Sequence, residues 1–302
     1  MGAGNDRFQW NPGEGSDVID GQAGFDTHEF NGSNGAEIMS LVANGNRATL
    51  TRNLGNIVTD QDNFERVEIA ALGAADSITI GDQRATDVRA VLVDLAGVAG
   101  GTTGDGEIDS VTAEGSAQSE LINVATKGDD VSINGLAAQT RIANADGDDV
   151  VKVSGNAGSD VIDASRAAAG VAAITLDGGA GNDTLLAGRG GMTLSGGAGD
   201  DLLIGGSGND VLDAGTGDNL AIGGGGDDLF RGEDDFIVLD FRAGAGTDDR
   251  IDLRDRAAID DFGDVLGSAR NILGGVVLDF GDDEITLLGV RASQLHADDF
   301  LI

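Results

Sequence analysis

The chain has 302 residues, with 53 acidic against 18 basic side chains, a formal charge of −35 and 51 glycines. A polyanion of this density is repelled by phosphate, which argues against nucleic acid and anionic membranes as partners, and no run of ~18 apolar residues offers a membrane span. With no cysteine and only His28 and His296, the chain cannot build a thiolate or histidine zinc centre.

The acid is skewed, 43 Asp against 10 Glu. Asp is poor in helices and good in turns, so the bias places carboxylates on loops close to the backbone, where hard, oxygen-seeking cations are the natural partners. A hydrophobic share of 40% is too large for a purely solvated chain. The first residues hold neither a basic leader nor an apolar core, so Sec-type export is not expected.

In chain order, residues 2–29 contain GAGND, GEGSD and GQAGFD, whose acids are Asp6, Asp17 and Asp26. Asp17 to Asp26 is a step of nine and Asp6 to Asp17 a step of eleven, with Asn11 and the single proline, Pro12, in the excess. Asp6 and Asp26 should then share an edge. Because the sequence opens inside such a turn, a longer parent chain is expected. Residues 46–154 lose most glycine turns, but short β-rich stretches recur at 67–70, 77–80, 88–95, 131–133 and 150–153, many alternating apolar and polar residues. They predict an irregular β-solenoid or sandwich continuous with the repeats, in which Asp76, Asp130 and Asp149 either bind metal or cap turns. Asp130 and Asp149, nineteen apart, are expected near one coil of each other.

GNAGSDVID at 155–163 restores the spacing, with Asp160 in sixth place. From 178 the pattern is strict: GGAGNDTLL, AGRGGMTLS, GGAGDDLLI, GGSGNDVLD, AGTGDNLAI and GGGGDDLFR, six units of nine without insertion. Sixth place holds Asp183, Met192, Asp201, Asp210, Asn219 and Asp228, and eighth place holds Leu185, Leu194, Leu203, Leu212, Ala221 and Phe230. Glycines in first, second and fourth place make a turn, and the last three residues a brief strand with one inward side chain. Nine residues bury nothing alone, but two units make a coil and stacked coils bury a continuous apolar stripe. Loops eighteen residues apart then lie ~4.8 Å from one another. Asp183, Asp201 and Asn219 line one edge, and Met192, Asp210 and Asp228 the other. Carboxylates stacked this closely repel unless a cation lies between them, and turn carbonyls supply the rest of the roughly six to eight oxygens that calcium takes. Strong sites are expected between Asp183 and Asp201 and between Asp210 and Asp228, a weaker one between Asp201 and Asn219, and a poor slot between Met192 and Asp210.

The tandem GGxGxDxUx resembles the nonapeptide of the RTX calcium-binding β-roll family, secreted by Gram-negative bacteria through type I export. The resemblance implies an all-β chain, a right-handed parallel β-roll or β-solenoid with nonapeptide calcium loops, capped by a small C-terminal β-rich domain. It implies several Ca2+ ions held by loop carbonyls and the sixth-place Asp, in the turns of Gly179 and Gly181, Gly197 and Gly199, Gly206 and Gly208, and Gly224 and Gly226. Met192, Asn219, Ala187 and Ala214 depart from the pattern.

After 232 the composition changes to FIVLDF at 236–241, DRIDL, a helix-like stretch over 258–270 and a strand pair in GGVVLDFGDDEITLLGV. A solenoid needs such a cap over its last apolar face. The segment resembles the domain that follows RTX repeats, and Asp298, Asp299, Phe300, Leu301 and Ile302 look like its uncleaved type I secretion signal. Deleting them should reduce export and leave folding intact. The chain thus divides into N-terminal RTX-like repeats (1–45), an irregular β region (46–154), the nonapeptide β-roll (155–232) and a C-terminal cap with secretion signal (233–302).

No catalytic motif accompanies these repeats. His28 precedes Glu29, but HExxH is absent, as are a convincing nucleophile elbow and a phosphate loop with its Lys. Asp is so abundant that paired carboxylates carry no information. Trp10 and Phe8 read as core or cap residues, and Arg250, Arg254 and Arg256 as a solvated face. The expected function is a non-enzymatic, calcium-binding secreted module whose calcium-dependent folding follows export, located outside or on the surface of a Gram-negative cell, with the type I secretion machinery as a partner during export. The alternatives are a calcium-dependent, self-associating surface or adhesin protein with a cell-surface partner, and an accessory domain of a secreted polysaccharide- or protein-degrading enzyme.

Overall fold

Most of the short strands bury every second side chain, as the period-two alternation requires. The structure, a computed structural model, describes residues 1–246, 249–256 and 259–302. They form two compact units, one of residues 1–116, 120–154 and 170–174, the other of residues 117–119, 155–169 and 175–302.

In the first unit the chain passes back and forth between two sheets. One holds Arg7–Trp10, Thr27–Ser33, Arg66–Leu72, Ala90–Asp94 and Gln139–Ala143 in parallel order. The other holds Ile38–Asn44, Ser77–Ile80, Ser110–Glu114 and Val150–Ser154, also parallel. Two antiparallel excursions interrupt the coiling. Arg47–Arg52 and Ile57–Asp62 extend the second sheet from Ile38–Asn44 and lead to Asp17–Asp20. Leu121–Lys127 and Asp130–Asn134 extend the first from Gln139–Ala143. The second excursion corrects the placement of Asp130: it starts a meander strand, pairs with Arg141 at 2.7 Å and does not stack with Asp149. Val67, Ile69, Val91, Val93 and Ile142 of one sheet are buried, as are Ile78, Ile80, Val111, Val151 and Val153 of the other.

The second unit is more regular. Val161–Arg166, Thr184–Leu186, Leu202–Ile204, Asn219–Ile222, Phe236–Val238 and Glu284–Leu288 run parallel in one sheet. Ala173–Ala180, Thr193–Ala198, Val211–Asp213, Leu229–Arg231, Arg250–Asp252 and Phe300–Leu301 do so in the other. Leu185 pairs with Leu203 and Leu194 with Leu212, the eighteen-residue register, and all six eighth-place side chains are no more than 1% exposed. Gly275–Asp279 and Glu284–Leu288 form the antiparallel pair read from the sequence, with Ala269–Ile272 added beyond it.

Of the helix-like stretch, Ala258 lies outside the described residues and the helix itself spans Phe262–Ser268, started by Asp261, whose side chain accepts the amides of Gly263 and Asp264. Residues 269–272 are strand rather than helix because they pair with Gly275–Asp279 across a tight turn. Within 298–302, Phe300–Leu301 is a strand of the sheet, with Phe300 paired to Ile251, and buried Asp299 accepts the amides of Gly244 and His296. Its removal takes away a strand and a buried acceptor, so a cost to folding is expected beside any loss of export.

Candidate metal centre

Each sixth-place carboxylate divides its oxygens between two tasks. Oδ1 accepts the backbone N–H of the sixth-place residue one coil earlier: Asp183 N to Asp201 Oδ1 at 2.7 Å, Asp210 N to Asp228 Oδ1 at 3.0 Å, and Met192 N to Asp210 Oδ1 at 2.8 Å. An amide, rather than a cation alone, thus lies between successive acids and permits them to stack. Asp160 enters the same ladder, its N–H going to Asp183 Oδ1 at 2.7 Å.

The second oxygen has no such partner. Oδ2 of Asp183, Asp201, Asp210 and Asp228 is buried and receives no hydrogen bond. It turns back on the first glycine of its own loop, and a Cβ on Gly178, Gly196, Gly205 or Gly223 would fall well inside contact distance of it. The two departures noted in the sequence are therefore linked. Ala187 and Ala214 occupy first place only in the two units whose sixth residue is Met192 or Asn219, where no carboxylate needs the space.

Asn219 reveals what Oδ2 faces. Its Oδ1 keeps the ladder bond from Asp201 N at 2.8 Å, while its Nδ2, in the place of Oδ2, donates to the main-chain carbonyl of Gly217 at 3.0 Å. An Asp side chain in the same pose would turn an acceptor toward that carbonyl, an oxygen pair that suits a hard cation. The glycines maintain this turn: φ is 88–99° at Gly179, Gly197, Gly206 and Gly224, and 128–138° at Gly181, Gly199, Gly208 and Gly226, values that strain any other residue. Among the described residues no group of three His, Asp or Glu side chains converges to hold an ion.

Electrostatics point the same way. Burial pushes Asp210 up to about 7, with the charge of Asp228 adding to it, and Asp201 up to about 6, with Asp183 and Asp200 adding. Burial likewise raises Asp183 and Asp228. Each is a carboxylate held where its charge is disfavoured.

Of the N-terminal acids, Asp6 and Asp26 do share an edge, Asp6 N donating to Asp26 Oδ1 at 2.6 Å, and Asp26 is fully buried with Oδ2 unpartnered. Asp17 begins Asp17–Asp20 opposite Thr59 and stacks on no acid. His28 is buried, contacts Gln61 through Nδ1 at 2.6 Å and is pushed down to about 4 by burial, a neutral core residue beside Phe30 and Phe64. Trp10 is also core, stacked on Phe30 at 4.3 Å.

The ladder extends beyond the repeats, where the sequence reading missed most of it. Glu37 N donates to Asp76 Oδ1, Asp76 N to Asp109 Oδ1 and Asp109 N to Asp149 Oδ1, at 2.7–2.9 Å. Asp26 N donates to Glu65 and Asp228 N to Asp249. The available signal was an acid followed by alternating apolar residues, DSITI at 76, DSVTA at 109 and DVVKV at 149, hidden by unequal spacing. Two rungs carry their own cation: Arg52 on buried Glu37, through Nε at 2.7 Å, and Arg242 on Asp249 at 3.0 Å.

A coil of two sheets whose turns carry stacked, buried and half-satisfied carboxylates defines a β-roll of the cation-binding class. A family model described as the RTX calcium-binding nonapeptide repeat matches in four copies, at 13–27, 175–191, 193–221 and 204–236. Those segments are RTX calcium-binding nonapeptide repeats, and such repeats bind calcium ions at several sites. The repeats mark a calcium-binding module of a secreted protein. No curated protein matches the chain. Among the described residues no helix is long and apolar enough to cross a membrane.

Proposed function

We propose that calcium switches on the folding of this module after type I export. The observation that carries the reading is the set of buried Oδ2 atoms of Asp183, Asp201, Asp210 and Asp228, none of which receives a hydrogen bond. Folding without a counter-charge buries carboxylates that the unfolded chain keeps in water, against the entropy of 51 glycines and the self-repulsion of a −35 chain. Calcium in these loops supplies positive charge to the folded form alone, so ligation free energy becomes folding free energy.

The holders are those four Asp with the carbonyls of loops 178–183, 196–201, 205–210 and 223–228, extended by Asp26. Asn219 turns nitrogen rather than oxygen into its loop and is the weakest holder. Extracellular modules of this kind respond at ~10⁻⁴ to 10⁻³ M calcium. The chain therefore stays expanded where calcium is scarce, the form that suits a narrow export channel. The burial of Asp299 and the pairing of Phe300–Leu301 support this order of events, since a secretion machinery can read 298–302 only before the sheet forms. The reading assigns no catalysis to the chain.

The test is circular dichroism and hydrodynamic radius of the purified chain, titrated with calcium and, as control, magnesium. Compaction with a gain of β signal in calcium alone is expected. A fully folded chain in excess chelator would overturn the switch.

A further inference from the structure

We propose a cation loop at 71–76, outside every segment matched by the repeat model and without its glycine signature. The loop reads ALGAAD and, like the nonapeptide turns, spans six residues ending in a ladder acid that precedes a strand. Its second and fourth residues, Leu72 and Ala74, have φ of 74° and 78°, positive at the places that Gly179 and Gly181 occupy in their repeat. A leucine in that region is strained, and here it keeps the turn.

The acid repeats the division of labour seen in the nonapeptides. Asp76 Oδ1 accepts Glu37 N at 2.8 Å, Asp76 N goes to Asp109 Oδ1 at 2.7 Å, and Oδ2 is buried with no partner in a side chain only 3% exposed. Burial before all else pushes Asp76 up to about 7, and the charges of Asp109, Glu37 and Asp105, all carboxylates, add to it. The neighbouring rung at Glu37 differs on both counts. Its loop has no positive φ at second or fourth place, and Arg52 meets its charge. Three places set 71–76 apart from the repeats: Ala71, Leu72 and Ala74 stand where an Asp-bearing nonapeptide has glycine. The ligand class is a hard divalent cation of calcium size, taken by Asp76 Oδ2 and main-chain carbonyls.

The test is the number of calcium ions bound per chain by equilibrium dialysis of the full-length protein, for wild type, Asp76→Asn and Asp210→Asn. Asn219 shows that an amide keeps the ladder bond, so Asp76→Asn should match wild type by circular dichroism in calcium while binding one ion fewer. An unchanged count for Asp76→Asn beside a lowered one for Asp210→Asn overturns this loop and leaves the repeats standing. A lowered count for Asp76→Asn alone supports the loop and tells against the repeat assignment. Should Asp76→Asn not fold, anomalous diffraction from wild-type crystals grown with Sr2+ decides. A peak at bonding distance from Asp76 Oδ2 supports the site, and peaks confined to the repeats overturn it.

Discussion

At the scale of single residues, first-place glycine and sixth-place aspartate behave as one unit. The sequence shows Ala187 and Ala214 as two defects beside two further defects at Met192 and Asn219, whereas the structure makes them one event per loop, because the carboxylate Oδ2 lies where a Cβ would be. Gly196→Ala should therefore destabilise the calcium-loaded fold by roughly 1–3 kcal/mol and raise its calcium midpoint, since the methyl displaces Asp201 Oδ2. Ala214→Gly, in a loop with no such carboxylate, should change stability by less than about 1 kcal/mol. Urea unfolding in saturating calcium compares the two, and equal losses would contradict the pairing. The repeat residues were legible because nine-residue periodicity needs no geometry. The direction of Oδ2 was not, because nothing in a sequence distinguishes the two oxygens of an aspartate.

At the scale of elements, a guanidinium can take over the task of a metal. Arg52 reaches Glu37 from an antiparallel hairpin, Arg47–Arg52 after Ile38–Asn44, that exists only as an excursion from the coil. Both side chains are buried, and removing one partner of such a pair typically costs about 3–5 kcal/mol. Arg52→Ala should lower the unfolding free energy of the first unit by that order, and added calcium should not restore it if Arg52 alone supplies the counter-charge. Full rescue by calcium would show instead that an ion can replace it. The strands of 46–154 were legible from alternation, which is local. The two meanders and the Asp76–Asp109–Asp149 ladder were not, since insertions between rungs destroy any fixed spacing while strand pairing restores the stack. Asp130 was misplaced for that reason.

At the scale of the whole molecule, the buried acids set a common response to pH. Asp76, Asp109 and Asp210 sit at about 7 and Asp201 at about 6, above the ordinary 3.8, all chiefly through burial. The folded form then binds protons more tightly than the unfolded one, so the stability these groups contribute is greatest at low pH and is lost as pH rises between about 4 and 7. The calcium-free chain should gain β signal on acidification from pH 8 to 5, by far-ultraviolet circular dichroism in chelator, and Asp210→Asn should show less of the effect. A calcium-free signal that is flat across that range would contradict the buried, charged ladder. The acidic composition made the charge legible, but which of the 43 aspartates are dry depends on stacking alone.

The eighteen-residue register fixes the increments in which such a chain can lengthen. A rung bonds only to the rungs before and after it, so a whole coil can be spliced in without disturbing either end. Half a coil cannot, because every later strand would change sheets and the closing strands Phe236–Val238 and Arg250–Asp252 would meet the wrong neighbours. Duplicating 196–213 should yield a folded, longer protein that binds more calcium, whereas duplicating 196–204 alone should not fold its C-terminal strands. Variation in length, whether made by recombination or by design, is thereby restricted to even numbers of nonapeptides.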